Sequence, residues 1–220
     1  EYPSPFPKQN RLNLVVPKTT TRFSSRSENQ FKEIAMRCAE IVEKVPGNNL
    51  IFFPSYNLRN SIYFYFKELC NKEIVLEKQG LSKEEKKKIL AQFKKEGNDI
   101  VLLAVASGSF GEGADLPGNM LSGVIVVGVP LQRPDLETKA LINYYEKRFG
   151  KGWDYGYVLP AITKVLQNAG RCIRSETDKG VIIFLDERYA WQRYLKCFPD
   201  DMDVKIAFDY NKKIIDFFSN

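Results

Sequence analysis

The chain has 220 residues, of which 44% are hydrophobic and 13% aromatic, enough for one substantial core. It contains no histidine, which excludes Ser-His-Asp and Cys-His catalysis, histidine general bases and histidine metal ligands. The formal charge of +6 admits nucleic acid as a partner without requiring it.

In chain order, the opening Glu1-Tyr2-Pro3-Ser4-Pro5-Phe6-Pro7 is punctuated by proline and lacks the charged and apolar regions of a signal peptide. With no initiator methionine, it reads as the start of a piece cut from something longer. Leu12–Val16 reads as a short strand. Ser27 opens a helix with Gln30 at the capping-box position, and Phe31, Ile34, Cys38, Ile41, Val42 and Val45 follow at helical spacing until Pro46-Gly47. Leu50–Phe53, closed by Pro54, reads as a buried strand, followed by a helix from about Tyr56 to Cys70 and a strand at Ile74–Leu76. Ser82 caps a helix over Lys83–Lys95 that turns Ile89, Leu90 and Phe93 inward, and its lysine run reads as a solvated face. Ile100–Ala106 and Val124–Val129 are further apolar strands, separated by a glycine-rich loop at 107–118. Helical stretches follow over Pro134–Phe149 and Val158–Ala169, with a helical excursion near 131–165, Val181–Leu185 is the last strand, and the tail from Tyr189 carries short helical pieces.

Apolar strands of four to seven residues alternating with helices imply an α/β domain with a mainly parallel sheet covered on both faces. Ligands in such sheets sit at the carboxyl ends of the strands. Cys38, Cys70, Cys172 and Cys197 are widely spaced, without zinc or iron–sulfur spacing, and read as reduced thiols of an intracellular protein. They give no metal site. No stretch approaches the roughly 18 apolar residues that cross a bilayer, so no membrane partner is expected.

Chemistry concentrates in Gln167-Asn168-Ala169-Gly170-Arg171-Cys172-Ile173-Arg174, running on to Asp178-Lys179-Gly180. Two arginines three residues apart at a glycine-marked helix end set two rigid donor forks on one face. Such forks match phosphate oxygens and suit a developing negative charge. The alternative is a surface helix with two solvated arginines. The second feature is Ser107-Gly108-Ser109-Phe110-Gly111-Glu112-Gly113-Ala114-Asp115-Leu116-Pro117-Gly118. Its order is G-x-x-G-x-G, neither the dinucleotide fingerprint nor a Walker A motif, and no Walker A motif occurs in the chain. A complete ATP site is therefore not expected from these residues alone. A tight loop without a ligand is the alternative for this stretch.

Phe53-Pro54-Ser55-Tyr56, then Gly108 through Gly118, then Gln167 through Gly180 occur in the order of motifs IV, V and VI of superfamily 2 helicases. Together with Ser4-Pro5-Phe6 and the stretch from Thr20-Thr21-Arg22 to Arg26-Ser27, they resemble the second motor domain of XPD-type (Rad3-like) DNA helicases. The resemblance implies a RecA-like three-layer α/β/α domain at 27–220 and an arm at 1–26 joining an absent first motor domain. It implies an enzyme, an ATP-dependent helicase that moves 5′ to 3′ on single-stranded DNA and is associated with DNA repair. ATP and Mg²⁺ would be shared with the first domain, which would alone carry a 4Fe–4S cluster. Arg171 and Arg174 match the arginine-finger positions, with Gln167 beside them. Gly111, Gly113 and Asp115 match the nucleotide-facing part of motif V. An arginine finger contributes on the order of 10³–10⁵ in rate in related nucleotide hydrolases.

Candidates for the DNA track are Ser55, Tyr56, Ser107, Ser109, Phe110 and Arg188 at strand ends, and Trp153 on the excursion. Each aromatic has core packing as its alternative, and Arg188 has a local ion pair within Asp186-Glu187-Arg188. A monomer is expected, with the first motor domain as partner in cis. Strand binding that falls steeply with salt is the expected signature of such a track. The competing reading is a non-catalytic module that binds single strands or docks proteins, with a vestigial nucleotide site.

Overall fold

The computed structural model describes residues 5–95, 99–112, 120–131 and 133–219. Its strands are β1 (Arg11–Val16), β2 (Asn49–Phe53), β3 (Glu73–Leu76), β4 (Ile100–Val105), β5 (Gly123–Val127), β6 (Gly180–Leu185) and β7 (Lys205–Ile206). They form one sheet in the order β3-β4-β2-β5-β6-β1-β7, and every pairing is parallel. The helices are α1 (Glu28–Lys44), α2 (Tyr56–Phe66), α3 (Lys83–Phe93), α4 (Leu136–Phe149), α5 (Leu159–Ala169), α6 (Gln192–Leu195) and α7 (Tyr210–Ser219). No described helix is long and apolar enough to cross a membrane.

Side chains alternate across each strand, so a strand covered on both faces must be apolar throughout. β2 does this: Leu50 and Phe52 enter one cluster, Ile51 and Phe53 the other. The second cluster packs under α1, α2 and α7, through residues such as Ile34, Ile41, Ile62 and Ile214. The first packs under α3, α5 and the segment 189–198, through Phe93, Ile162, Val165, Tyr189 and Phe198. Each fully buried side chain of this size stabilises the fold by roughly 1.5–3 kcal/mol relative to exposure. The result is three layers, α/β/α.

Helix starts follow local chemistry. Ser27, Ser55, Ser82 and Asp135 each accept a bond from the backbone amide three residues on. Ser82 and Glu85 form a reciprocal capping box. Gln30 does not complete one: its backbone amide reaches Ser27, but its side-chain nitrogen is buried without a partner.

Several sequence expectations shift. The helix expected to reach Cys70 ends at Phe66, and α3 ends at Phe93 rather than Lys95. The excursion consists of α4, which has no buried residue, followed by a π-helical turn, Asp154–Val158, that leads into α5. The tail supplies β7 and the ten-residue α7, both integrated into the fold. β1, drawn from the stretch read as an arm, lies inside the sheet between β6 and β7.

Candidate functional site

The carboxyl ends of β2 and β4 adjoin in the sheet, which brings the turns after them together. An uncharged groove of about 390 Å³ there is lined by Pro54, Ser55, Tyr56, Gln79, Gly80, Val105, Ser107, Gly108 and Ser109. The Ser55 hydroxyl caps α2 by accepting from the Leu58 amide at 3.3 Å. The Arg59 guanidinium lies 5.1 Å from the centre of the Tyr56 ring. Burial and the nearby Glu77 carboxyl push the Tyr56 hydroxyl above its usual pKa, against the opposing pull of Arg59.

The loop after β4 is held from below by Glu77, a residue with no exposed surface. Its Oε2 accepts from the Val105 amide at 2.7 Å and its Oε1 from the Phe110 amide at 3.1 Å. Burial raises the Glu77 carboxyl above the usual range, and these amides oppose the shift. The loop's glycines fit this packing. A Cβ on Gly108 would sit 2.4 Å from Glu77 Oε2, and one on Gly111 would sit 2.2 Å from the Ala106 carbonyl oxygen. From α3, Lys86 Nζ donates to the Ser109 carbonyl at 2.7 Å. Burial and the neighbouring Arg171 cation lower the Lys86 pKa.

Beyond the loop lies an open hollow of about 490 Å³, lined by Gly111, Glu112, Gln167, Gly170, Arg171 and Arg174. Arg171 Nη2 donates to the Gly111 carbonyl at 2.8 Å, which ties the end of α5 to the loop after β4. The fully buried Asn168 makes a second tie, Nδ2 to the Ala106 carbonyl at 3.4 Å. Arg174 is exposed, and no described residue pairs with its guanidinium. Its backbone is fixed instead: the Asp178 carboxylate accepts from the amides of Arg174 at 2.6 Å and Ser175 at 2.8 Å. The donor set, two guanidiniums and one carboxamide around an open cavity, fits the oxygens of a phosphoryl group.

The sequence-derived candidates therefore sort as follows. Gln167, Arg171, Arg174 and Gly111 line one hollow, while Ser55, Tyr56, Ser107 and Ser109 line the adjacent groove. Gly113 and Asp115 lie outside the described residues. Phe110 and Arg188 need correction. Phe110 has 0% exposure and its ring belongs to the core, so a base cannot stack on it. Arg188 is 6% exposed. Its Nε and Nη2 donate to Asp186 at 2.8 Å and its Nη2 to Thr21 Oγ1 at 2.7 Å. Burial would lower the Arg188 pKa, but the pairing with Asp186 raises it. The pair pins the segment after β1 to the end of β6. Trp153 is 44% exposed on the excursion, 4.5 Å from the Tyr157 ring centre, and lines neither the groove nor the hollow. Glu77 and the capping role of Asp178 were not read from the sequence. A lone acid after an apolar strand gives no signal that it is buried, although the D-x-G spacing after the arginines singled out Asp178 as part of a motif.

Known proteins resemble this chain in sequence and fold. The family model described as a helicase C-terminal domain matches residues 38–205. A probable ATP-dependent helicase of Methanocaldococcus jannaschii is 30% identical over 99% of this chain and 36% of its own length. The ATP-dependent DNA helicase XPD of Sulfolobus acidocaldarius is 27% identical over 81% of this chain and 32% of its own length. The chain thus spans about a third of the length of the curated relatives it matches. Among solved structures, an XPD helicase superposes with a TM-score of 0.68 at 24% identity, over 90% of this chain and 36% of that one. The C-terminal domain of the DEAD-box protein Dbp5 superposes with a TM-score of 0.55 at 14% identity, over 94% and 98% of the two chains. These two likenesses concern the fold. With the family model spanning most of its length, the chain belongs to the helicase C-terminal domain family.

Proposed function

We propose that this chain supplies half of an ATP-driven motor on single-stranded DNA. Arg171 and Arg174 act as arginine fingers, Gln167 orients beside them, and Gly111 shapes the nucleotide-facing loop with Gly113 and Asp115. Ser55, Tyr56, Ser107 and Ser109 line part of the strand track. The observation that carries this reading is the single hollow in which Gly111, Gln167, Arg171 and Arg174 meet. The relatives named as ATP-dependent DNA helicases support ATP and DNA as the ligand classes.

The chain holds no Walker A lysine, so the triphosphate and its Mg²⁺ would be held by a first motor domain in cis, and this chain alone would turn over ATP negligibly. Guanidiniums that meet the γ-phosphoryl group as its charge spreads would stabilise the transition state more than the ground state. Translocation from 5′ to 3′, a role in DNA repair, an intracellular site of action and a 4Fe–4S cluster in the first domain follow from the family resemblance.

Arg171→Ala in the full-length protein tests the reading. ATP turnover should fall by about 10³ or more while nucleotide affinity changes by less than about threefold. Unchanged turnover would sink the finger assignment and favour a non-catalytic module.

A further inference from the structure

The strand groove and the arginine hollow share one loop, 107–111, and that loop is moored to Glu77. We propose that Glu77 is a positioning residue that transmits occupancy of the strand groove to Arg171 by setting the conformation of this loop. The proposal rests on the motor reading above.

A carboxyl group without exposed surface is costly unless its oxygens are bonded. The two oxygens of Glu77 bond amides on either side of the loop's start, Val105 at 2.7 Å and Phe110 at 3.1 Å. Its backbone is equally committed. The Glu77 amide donates to the Leu103 carbonyl at 3.0 Å, and the Glu77 carbonyl accepts from Arg59 Nη1. Arg59 in turn lies over the Tyr56 ring. On the far side of the loop, the Gly111 carbonyl accepts from Arg171. An unbroken series therefore runs from Tyr56 through Arg59, Glu77, Phe110 and Gly111 to Arg171.

The chemistry favours a carboxylate over any residue of similar volume. Two acceptor oxygens serve two amides at once. A glutamine keeps the shape but offers one acceptor, and it turns an NH₂ toward a backbone N–H. A strand lying on Tyr56 would load Arg59, and with it the backbone of Glu77. Movement there shifts the carboxylate that holds the Phe110 amide and, one residue on, the carbonyl that accepts from Arg171.

Contiguity alone is not coupling, so the test is energetic. In the full-length protein, ATP turnover is measured with and without a saturating single-stranded thymidine oligonucleotide. The variants are Glu77→Gln, Tyr56→Ala and the double substitution. The ratio of stimulated to unstimulated turnover should fall about tenfold or more in Glu77→Gln. The double substitution should lose less than the product of the single effects, because both act on one path. A ratio unchanged within about twofold, or strictly multiplicative losses, would overturn the proposal. If Glu77→Gln does not fold, Arg59→Met serves instead, since it leaves both carboxylate bonds in place and cuts the link to Tyr56. A folded Arg59→Met that keeps full stimulation would equally overturn it. Unaltered stimulation alongside an inactive Arg171→Ala would remove this proposal and leave the motor reading standing, whereas an active Arg171→Ala would remove the motor reading itself.

Discussion

Arg171 Nη2 donates to the Gly111 carbonyl at 2.8 Å, which orients its planar fork. Lysine cannot reproduce this. A point charge on a flexible stem must choose between the carbonyl and a phosphoryl oxygen. Arg171→Lys in the full-length protein should therefore lower ATP turnover by about 10² or more, with a KM change below about threefold. Turnover within a factor of two of the parent would show that the aimed fork is dispensable. The glycine facing it is equally constrained. Gly111→Ala would drive a methyl group to 2.2 Å from the Ala106 carbonyl, a backbone atom that cannot step aside. The expected cost is about 1–3 kcal/mol, read as a lowered unfolding midpoint. At this scale the sequence singled out Gln167, Arg171 and Arg174 by their spacing, and the three line one hollow. It misplaced Phe110 and Arg188, because position at a strand end predicts where a backbone goes and not where its side chain points. Glu77 was illegible, since the atoms that justify its burial belong to the backbone of another strand.

The last helix, read in the sequence only as one of the tail's short helical pieces, is integral to the fold. α7 buries Tyr210 and Ile214 against α1, and the Tyr210 hydroxyl donates to Glu40, which also pairs with Arg37 at 3.0 Å. In sequence, Tyr210, Ile214, Phe217 and Phe218 recur at helical spacing, whereas β7, two exposed residues long, gives no period. Most of the legible strands are buried on both faces and nearly apolar throughout, and β3 was legible from its short apolar run Ile74–Leu76 although it is only partly buried. Ile214→Ala should cost about 2–4 kcal/mol, seen as an earlier denaturant midpoint. The Tyr210–Glu40–Arg37 group also makes a signed prediction about pH. Burial would raise the Glu40 carboxyl, but Tyr210 and Arg37 outweigh it and hold it below its usual value. Its contribution is present above about pH 4.3, the ordinary glutamate value, and is lost as pH falls from there through the lower folded value. Burial and Glu40 push the Tyr210 hydroxyl up to about 12. That contribution is complete below about pH 10 and disappears as pH rises toward the folded value. Thermal melts of Tyr210→Phe should therefore show both limbs flattened relative to the parent. Identical pH profiles would rule the group out as a source of pH dependence.

Across the whole molecule, the +6 charge admits a nucleic-acid partner without requiring one, and the strand track carried the expectation of steep salt dependence. The groove revises it. None of its lining residues is charged, so hydroxyls and backbone amides would meet the phosphates there. Neutralising six to ten phosphates costs about 10³–10⁵ in affinity between 50 and 200 mM salt, whereas an uncharged groove releases few counterions. Single-strand binding by this chain, followed by fluorescence anisotropy, should weaken less than about tenfold over that range. A much steeper loss would move the track onto the lysine-bearing faces instead.

The place of β1 has a consequence for biogenesis. It is the earliest strand in the chain, yet its two neighbours are the latest, with Arg11 aligned to Gly180 and Leu14 to Lys205. During vectorial synthesis its Leu14, Val15 and Val16, all without exposed surface in the finished fold, must wait for roughly 170 residues to emerge before they find a partner. A nascent segment of this kind has high contact order, folds late, and leaves β1 open to chaperone capture until its partners emerge.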